Sequence, residues 1–261
     1  MKSSDFAEEA ARVAELAEKR GIPLRIMGAC AVRVHCPKYR HLSEQLGRKL
    51  TDIDFMSYEK YMPKTESFFQ EIGYAPRNFF SYQWGREAYK RQFFDDPAKN
   101  MHIDVFFDEL EMSHKISFKG RLDLDFPTIT LADLILEKMQ IVRINEKDVK
   151  DTIVLVREHP VVDNEDREGI NSKYIAKLLS NDWGFYYTVT TNLNRVRNFL
   201  KEYSALSDDD RRHDETEISK LIDAIEREPK SIGWKMRAKV GTKKKWYTDV
   251  DEAVLPGSPQ H

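Results

Sequence analysis

TDIDFM, residues 51–56, and MHIDVFF, residues 101–107, set aspartates between β-forming apolar residues, and their reading decides the fold. Side chains alternate along a strand, so Asp52 and Asp54 project from one face while Ile53 and Phe55 occupy the other. Asp104, between Ile103 and Val105, repeats the pattern on a second strand. An acid embedded among apolar residues costs stability unless it is paired or metal-bound. Three that converge call for a counter-ion, and a hard cation such as Mg²⁺ takes carboxylate oxygens at about 2.0–2.1 Å. In a chain this rich in acid the bland alternative is a solvated face. Upstream, LRIM (24–27) reads as a short strand that breaks at Gly28 into ACAVRVH, the opening of a helix. The first N–H groups of such a helix are unpaired and suit phosphate oxygens, and Gly28 permits close approach.

Outward from this centre, the apolar spacing of Ala7 to Ala17 predicts a first helix, with Asp5 and Glu8 placed as a capping box and Gly21 as its stop. Residues 36–51 read as a loop or a helix-containing insertion, and Tyr58 to Ile72 as a helix returning across the sheet. The stretch 74–100, with Tyr74, Phe79, Phe80, Tyr82, Trp84, Phe93 and Phe94, predicts short strands or a hairpin. KISF (115–118) is a further short strand; helices are expected at 130–143, started by Thr130 and Asp133, and at 147–157. Beyond 158 the texture is helical, with helices at 172–181, 190–203 and 214–228, the last two separated by Ser207-Asp208-Asp209-Asp210. Residues 229–247 are basic and read as a hairpin turning at Gly241, followed by a loose tail. The expectation is an α+β chain: a mixed sheet flanked by helices in residues 1–157, then a mainly helical part, 158–261.

Composition bounds the function. With 42 Lys and Arg against 44 Asp and Glu, a net charge of -2 gives no global field toward nucleic acid or acidic lipid, so any such affinity is local. No long apolar run predicts a membrane span or a secretory leader, and two isolated cysteines, Cys30 and Cys36, fit a reducing compartment; a cytoplasmic protein with no membrane partner is expected.

Lys138 is a candidate partner for triphosphate charge, with a snorkelling surface lysine as the alternative. Lys147 and Asp151 are spaced as an exposed i,i+4 salt bridge, and Asp148 is the better candidate to support a site. His35, His41, His102 and His114 show no ligand spacing. In 229–247, Trp234, Trp246 and Tyr247 interleave with lysines, a mix suited to RNA phosphates and base stacking, or simply to a solvated hairpin.

The succession Ile26-Met27-Gly28-Ala29, Thr51-Asp52-Ile53-Asp54-Phe55 and His102-Ile103-Asp104-Val105-Phe106 resembles the nucleotidyltransferase fold of the DNA polymerase β superfamily. Leu134 through Asp151 is similar to the helical segment after the core in abortive-infection, type IV toxin-like nucleotidyltransferases, a toxin–antitoxin setting. The resemblance implies transfer of an NMP from an NTP such as ATP to an acceptor hydroxyl, with loss of pyrophosphate. Asp52 and Asp54 would hold two Mg²⁺ ions joined by Asp104, and Gly28, Ala29, Lys138 and Asp148 would bind the nucleotide. The acceptor is left open among RNA, protein and small hydroxylated compounds. Two departures stand out: Gly28-Ala29 replaces the family's Gly-Gly or Gly-Ser, and the spacing from Gly28 to Asp52 is long. They leave a second expectation, a catalytically silent nucleotide-sensing or RNA-binding module on the same fold.

Overall fold

The computed structural model of the protein describes residues 3–77 and 90–250. The expectations at Phe79, Phe80, Tyr82 and Trp84, in the tail beyond 250 and for the Asp5 side chain lie outside what is described. In chain order, the first half comprises α1 (Ser3–Glu18), β1 (Arg25–Met27), α2 (Gly28–His35), α3 (Arg40–Gln45), β2 (Ile53–Ser57) and α4 (Met62–Glu71), then β3 (Ala75–Pro76), β4 (Arg91–Asp96), β5 (Met101–Phe107), β6 (Glu109–Glu111) and β7 (Lys115–Ser117). Two helices follow, α5 (Leu131–Met139) and α6 (Glu146–Glu158). After the short strands β8 (Val161–Val162) and β9 (Ile170–Asn171) come α7 (Ser172–Leu179), α8 (Trp183–Phe199), α9 (Asp208–Arg227) and α10 (Ile232–Val240). The expected α+β class holds: a mixed five-stranded sheet flanked by helices and followed by a helical region.

The sheet runs in the order β1-β2-β5-β4-β3, with β2 and β5 parallel and the other pairs antiparallel. Its register places Ile53 beside Ile103, Asp54 beside Asp104 and Phe55 beside Val105. Ile53, Phe55, Ile103 and Val105 are wholly buried. At about 1.5–3 kcal/mol per buried side chain, these four contribute on the order of 10 kcal/mol, and a one-residue slip of either strand would turn its apolar pair to the other face. Apolar packing therefore fixes the two aspartates on one face of adjacent strands.

The helix starts explain several boundaries. Thr130 accepts from the Asp133 N–H and starts α5, which ends at Met139, short of the expected 143. Ser207 and Asp210 form a capping box, so the acidic run read as a separator is the first turn of α9. Asp182 caps α8 and begins it at Trp183 rather than 190.

The hairpin expected at 229–247 is overturned. Ser231 accepts from the Trp234 N–H and starts α10, and Gly241, at φ 58°, ends it. Trp234 packs edge-on against Tyr186, 5.0 Å between ring centroids. Trp246 donates to Thr188 Oγ1 at 3.1 Å and stands T-shaped to Trp183 and Tyr187. The tryptophans read as base-stacking platforms thus pin the segment to α8. Among the described residues no helix is long and apolar enough to cross a membrane.

Candidate active site

Of the carboxylates read from sequence, Asp54 in β2 and Asp104 in β5 are neighbours in register. Asp54 is half-buried at the register position beside Asp104 and also lies beside Met27 of β1. Asp52 precedes β2, is exposed, and accepts from Thr51 Oγ1 at 3.2 Å. Burial pushes the Asp54 carboxyl well above the ordinary carboxylate range; the negative fields of Asp52, Asp104 and Glu137 add to it, and Arg91 opposes. Asp104 is likewise raised by burial and by Asp52, against Arg91 and Arg77. Each of the three positions thus acts in one electrostatic cluster.

Gly28 occupies a left-handed conformation at φ 66°, which glycine adopts without the Cβ penalty of other residues. A Cβ there would stand 2.6 Å from Asp54 Oδ2, so the turn is also the wall against which that carboxylate rests. The Gly28 N–H, expected to face phosphate, instead donates to Glu137 Oε2 at 3.1 Å. Ala29, the second residue of the turn, is half-buried. Glu137 went unread in the sequence, although an acid on a helix as apolar as LADLILEKM needs a partner. Its carboxyl is pushed up to about 7, chiefly by burial, while Lys138 and the Gly28 N–H pull it down.

Lys138 does not snorkel. Its ammonium is buried and ion-paired to Asp148 and Asp151, each at 3.1 Å, with Glu137 at 3.9 Å. Burial works against this charge, but Asp151, Asp148 and Glu137 together hold its affinity for the proton above the usual lysine value. The i,i+4 pair expected between Lys147 and Asp151 is replaced: Asp151 takes Lys138 and a bidentate Arg48, whose Nε and Nη2 donate at 2.8 and 3.1 Å. Arg48 had been read only as part of the polar insertion 36–51, and through this fork it ties the insertion to α6.

A third residue the sequence did not single out, Arg91, donates from Nη2 to Asp104 Oδ2 at 2.8 Å. Its guanidinium lies over the rings of Phe106 and Phe93, 4.1 and 5.0 Å from their centroids. On the same sheet, Asp95 and His102 pair at 2.6 Å beside Arg77.

Among the described residues, no three His, Cys, Asp or Glu side chains are grouped closely enough to hold a metal ion as they stand. In kind, the carboxylate oxygens of Asp54 and Asp104, neighbours in register, are the donors a hard divalent cation takes.

No protein-family model and no curated protein matches the chain. Among solved structures, it is similar to the solution structure of the antibiotic-resistance factor ANT(2'')-Ia, at 14% identity and a TM-score of 0.36, over 58% of this chain and 83% of that one. A likeness of this size carries no argument about chemistry.

Proposed function

We propose that this chain is a Mg²⁺-dependent nucleotidyltransferase that moves an NMP from an NTP such as ATP to an acceptor hydroxyl, releasing pyrophosphate. The observation behind this reading is the register pair Asp54 and Asp104, placed on one face of parallel strands with Asp52 two residues before Asp54. A cluster of like charges is costly to fold around unless something positive occupies it.

In this reading Asp52, Asp54 and Asp104 hold two Mg²⁺ ions. Bound there, the ions would stabilise both the attacking and the leaving oxygens of an in-line displacement. Gly28 and Ala29 let the phosphates approach the sheet edge, with the Gly28 N–H exchanging Glu137 for a phosphate oxygen. Asp104, beside Asp54 in register, would join the ion that meets the acceptor hydroxyl and help receive its proton. Lys138 and Asp148 brace the nucleotide side through their ion pair. We assign this chemistry to residues 1–157 and treat 158–261 as a helical supporting part. The acceptor is RNA, protein or a small hydroxylated compound, and an RNA would meet the exposed lysines of 229–247 rather than its tryptophans.

A second reading, a silent nucleotide-sensing module, draws on the Gly28 N–H and Asp104 being already engaged by Glu137 and Arg91. One experiment separates the two. The protein is incubated with Mg²⁺, each α-labelled NTP and, in turn, RNA, itself and hydroxylated small molecules. Label transfer that Asp52→Asn/Asp54→Asn abolishes supports the transferase. NTP binding without transfer supports the sensor, and Mg²⁺ and NTP affinities unchanged in that variant sink both.

A further inference from the structure

Arg91 is in direct contact with Asp104, and among the described residues its bonding is incomplete. Nη2 serves Asp104 at 2.8 Å, whereas Nε is buried with no hydrogen-bond partner among the described residues. A buried donor left without an acceptor is costly. Position rather than bonding explains the arrangement: β4 pairs with β5 so that Arg91 lies beside Phe106, two residues along from Asp104, and the rings of Phe106 and Phe93 fix the guanidinium against the carboxylate. Asp104 is therefore engaged by a protein cation in the same place where a metal would need its oxygens.

We propose that Arg91 is a transferable counter-charge: it neutralises Asp104 in the cation-free site and, when divalent cations take the carboxylates, donates instead to the nucleotide's phosphate oxygens. The inference rests on the transferase reading above and adds a residue to it. Charge balance supplies the physics. With Asp104 bound to a cation, a guanidinium held beside it loses its anion, and the nearest chemistry able to replace a carboxylate for a planar donor fork is a phosphate. Nε is a donor that the Asp104 carboxylate does not use.

The proposal requires effects of opposite sign, which a merely structural role would not give. In calorimetry with Mg²⁺ alone, Arg91→Met should bind the ion about two- to fivefold more tightly, because a partly exposed competing ion pair is gone. In calorimetry with Mg²⁺ and non-hydrolysable α,β-methylene ATP, the same variant should bind the nucleotide roughly tenfold or more weakly, the loss of a charge-assisted bond. Arg91→Lys keeps the charge without the fork, so it should bind Mg²⁺ as the wild type does and the nucleotide weakly; it also carries the test if Arg91→Met does not fold. Both affinities falling together, or nucleotide affinity unchanged in folded variants, overturns the role given to Arg91. Wild-type protein that binds neither Mg²⁺ nor the analogue overturns the transferase reading and this inference with it.

Discussion

Gly28→Ala tests whether the turn exists for its backbone or for Asp54. Two costs are separable in the structure. The first is conformational: placing a Cβ at φ 66° costs about 1–2 kcal/mol. In a protein of this size that lowers Tm by roughly 2–8 °C. The second is local. The new Cβ would lie 2.6 Å from Asp54 Oδ2 but 3.5 Å from its Cβ and Cγ, so only the end of the carboxylate must move. That movement is cheap for folding and expensive for any function needing those oxygens. Gly21 supplies the control, with φ 67° and nothing within 4 Å of its would-be Cβ. Gly21→Ala and Gly28→Ala should lose similar stability in urea unfolding, while calorimetry shows Mg²⁺-dependent NTP binding intact in the first and lost in the second. Equal nucleotide affinity in both would refute the reasoning, because Asp54 would then tolerate displacement from the place assigned to it. A much larger stability loss in Gly28→Ala would refute it differently, by showing that the carboxylate cannot move.

Lys138→Met leaves Asp148 without its ion pair and Asp151 with Arg48 alone, and should cost about 3–5 kcal/mol in urea unfolding; a loss under 1 kcal/mol would show that Arg48 suffices. Glu137 has a carboxyl raised by burial from 4.5 to about 7, so the folded protein keeps a proton that the unfolded chain releases, and stability falls as pH rises through that interval. Glu137→Gln should remove this dependence, gaining about 3 kcal/mol relative to wild type between pH 4.5 and pH 8; a stability difference constant with pH would contradict it. His114, buried against Phe185 and bonded to Thr188, is lowered by burial from 6.5 to about 4. Its contribution is present above pH 6.5 and lost as pH falls toward 4, so His114→Gln should flatten the unfolding profile across that window, and an unchanged profile would count against it.

The parts of the fold that apolar periodicity controls were readable. MHIDVFF is β5 residue for residue, the strand, glycine and helix at 25–35 are β1 and α2, and alternation alone put Asp54 and Asp104 opposite a buried face. What escaped reading has two physical origins. In α10, Trp234, Met236, Ala238 and Val240 alternate with Lys235, Arg237 and Lys239, the period of a strand. The Ser231 cap and the seat of Trp234 on Tyr186 outweigh that pattern, and the helix leaves Ile232 79% and Met236 65% exposed. Ser231 and Gly241 were the available signals. In α9 the start signal was present and was taken for a linker, since three consecutive aspartates resemble a solvated run until Ser207 is seen to cap them.

The other origin is distance along the chain. Glu137 meets Gly28 across 109 residues and Arg48 meets Asp151 across 103, so neither pairing leaves a local pattern. Both nonetheless follow from one rule applied to the whole fold. Eight of the nine residues of α5 are buried, which forbids any charge on it from going unanswered: Lys138 must find acids, and Glu137 must find a donor or a proton. The acids lie on α6, and the donor is the first N–H of α2, where the helix dipole also favours negative charge. A glycine turn read as a phosphate cradle and a lysine read as a phosphate partner thus share a wall, with the first already answered by Glu137 and the second by Asp148 and Asp151. In the transferase reading, an incoming triphosphate displaces Glu137 from the Gly28 N–H. That exchange is easiest when the carboxyl is protonated, so nucleotide affinity should weaken from pH 6 to pH 8 in wild type and less in Glu137→Gln, a comparison that calorimetry at the two pH values decides.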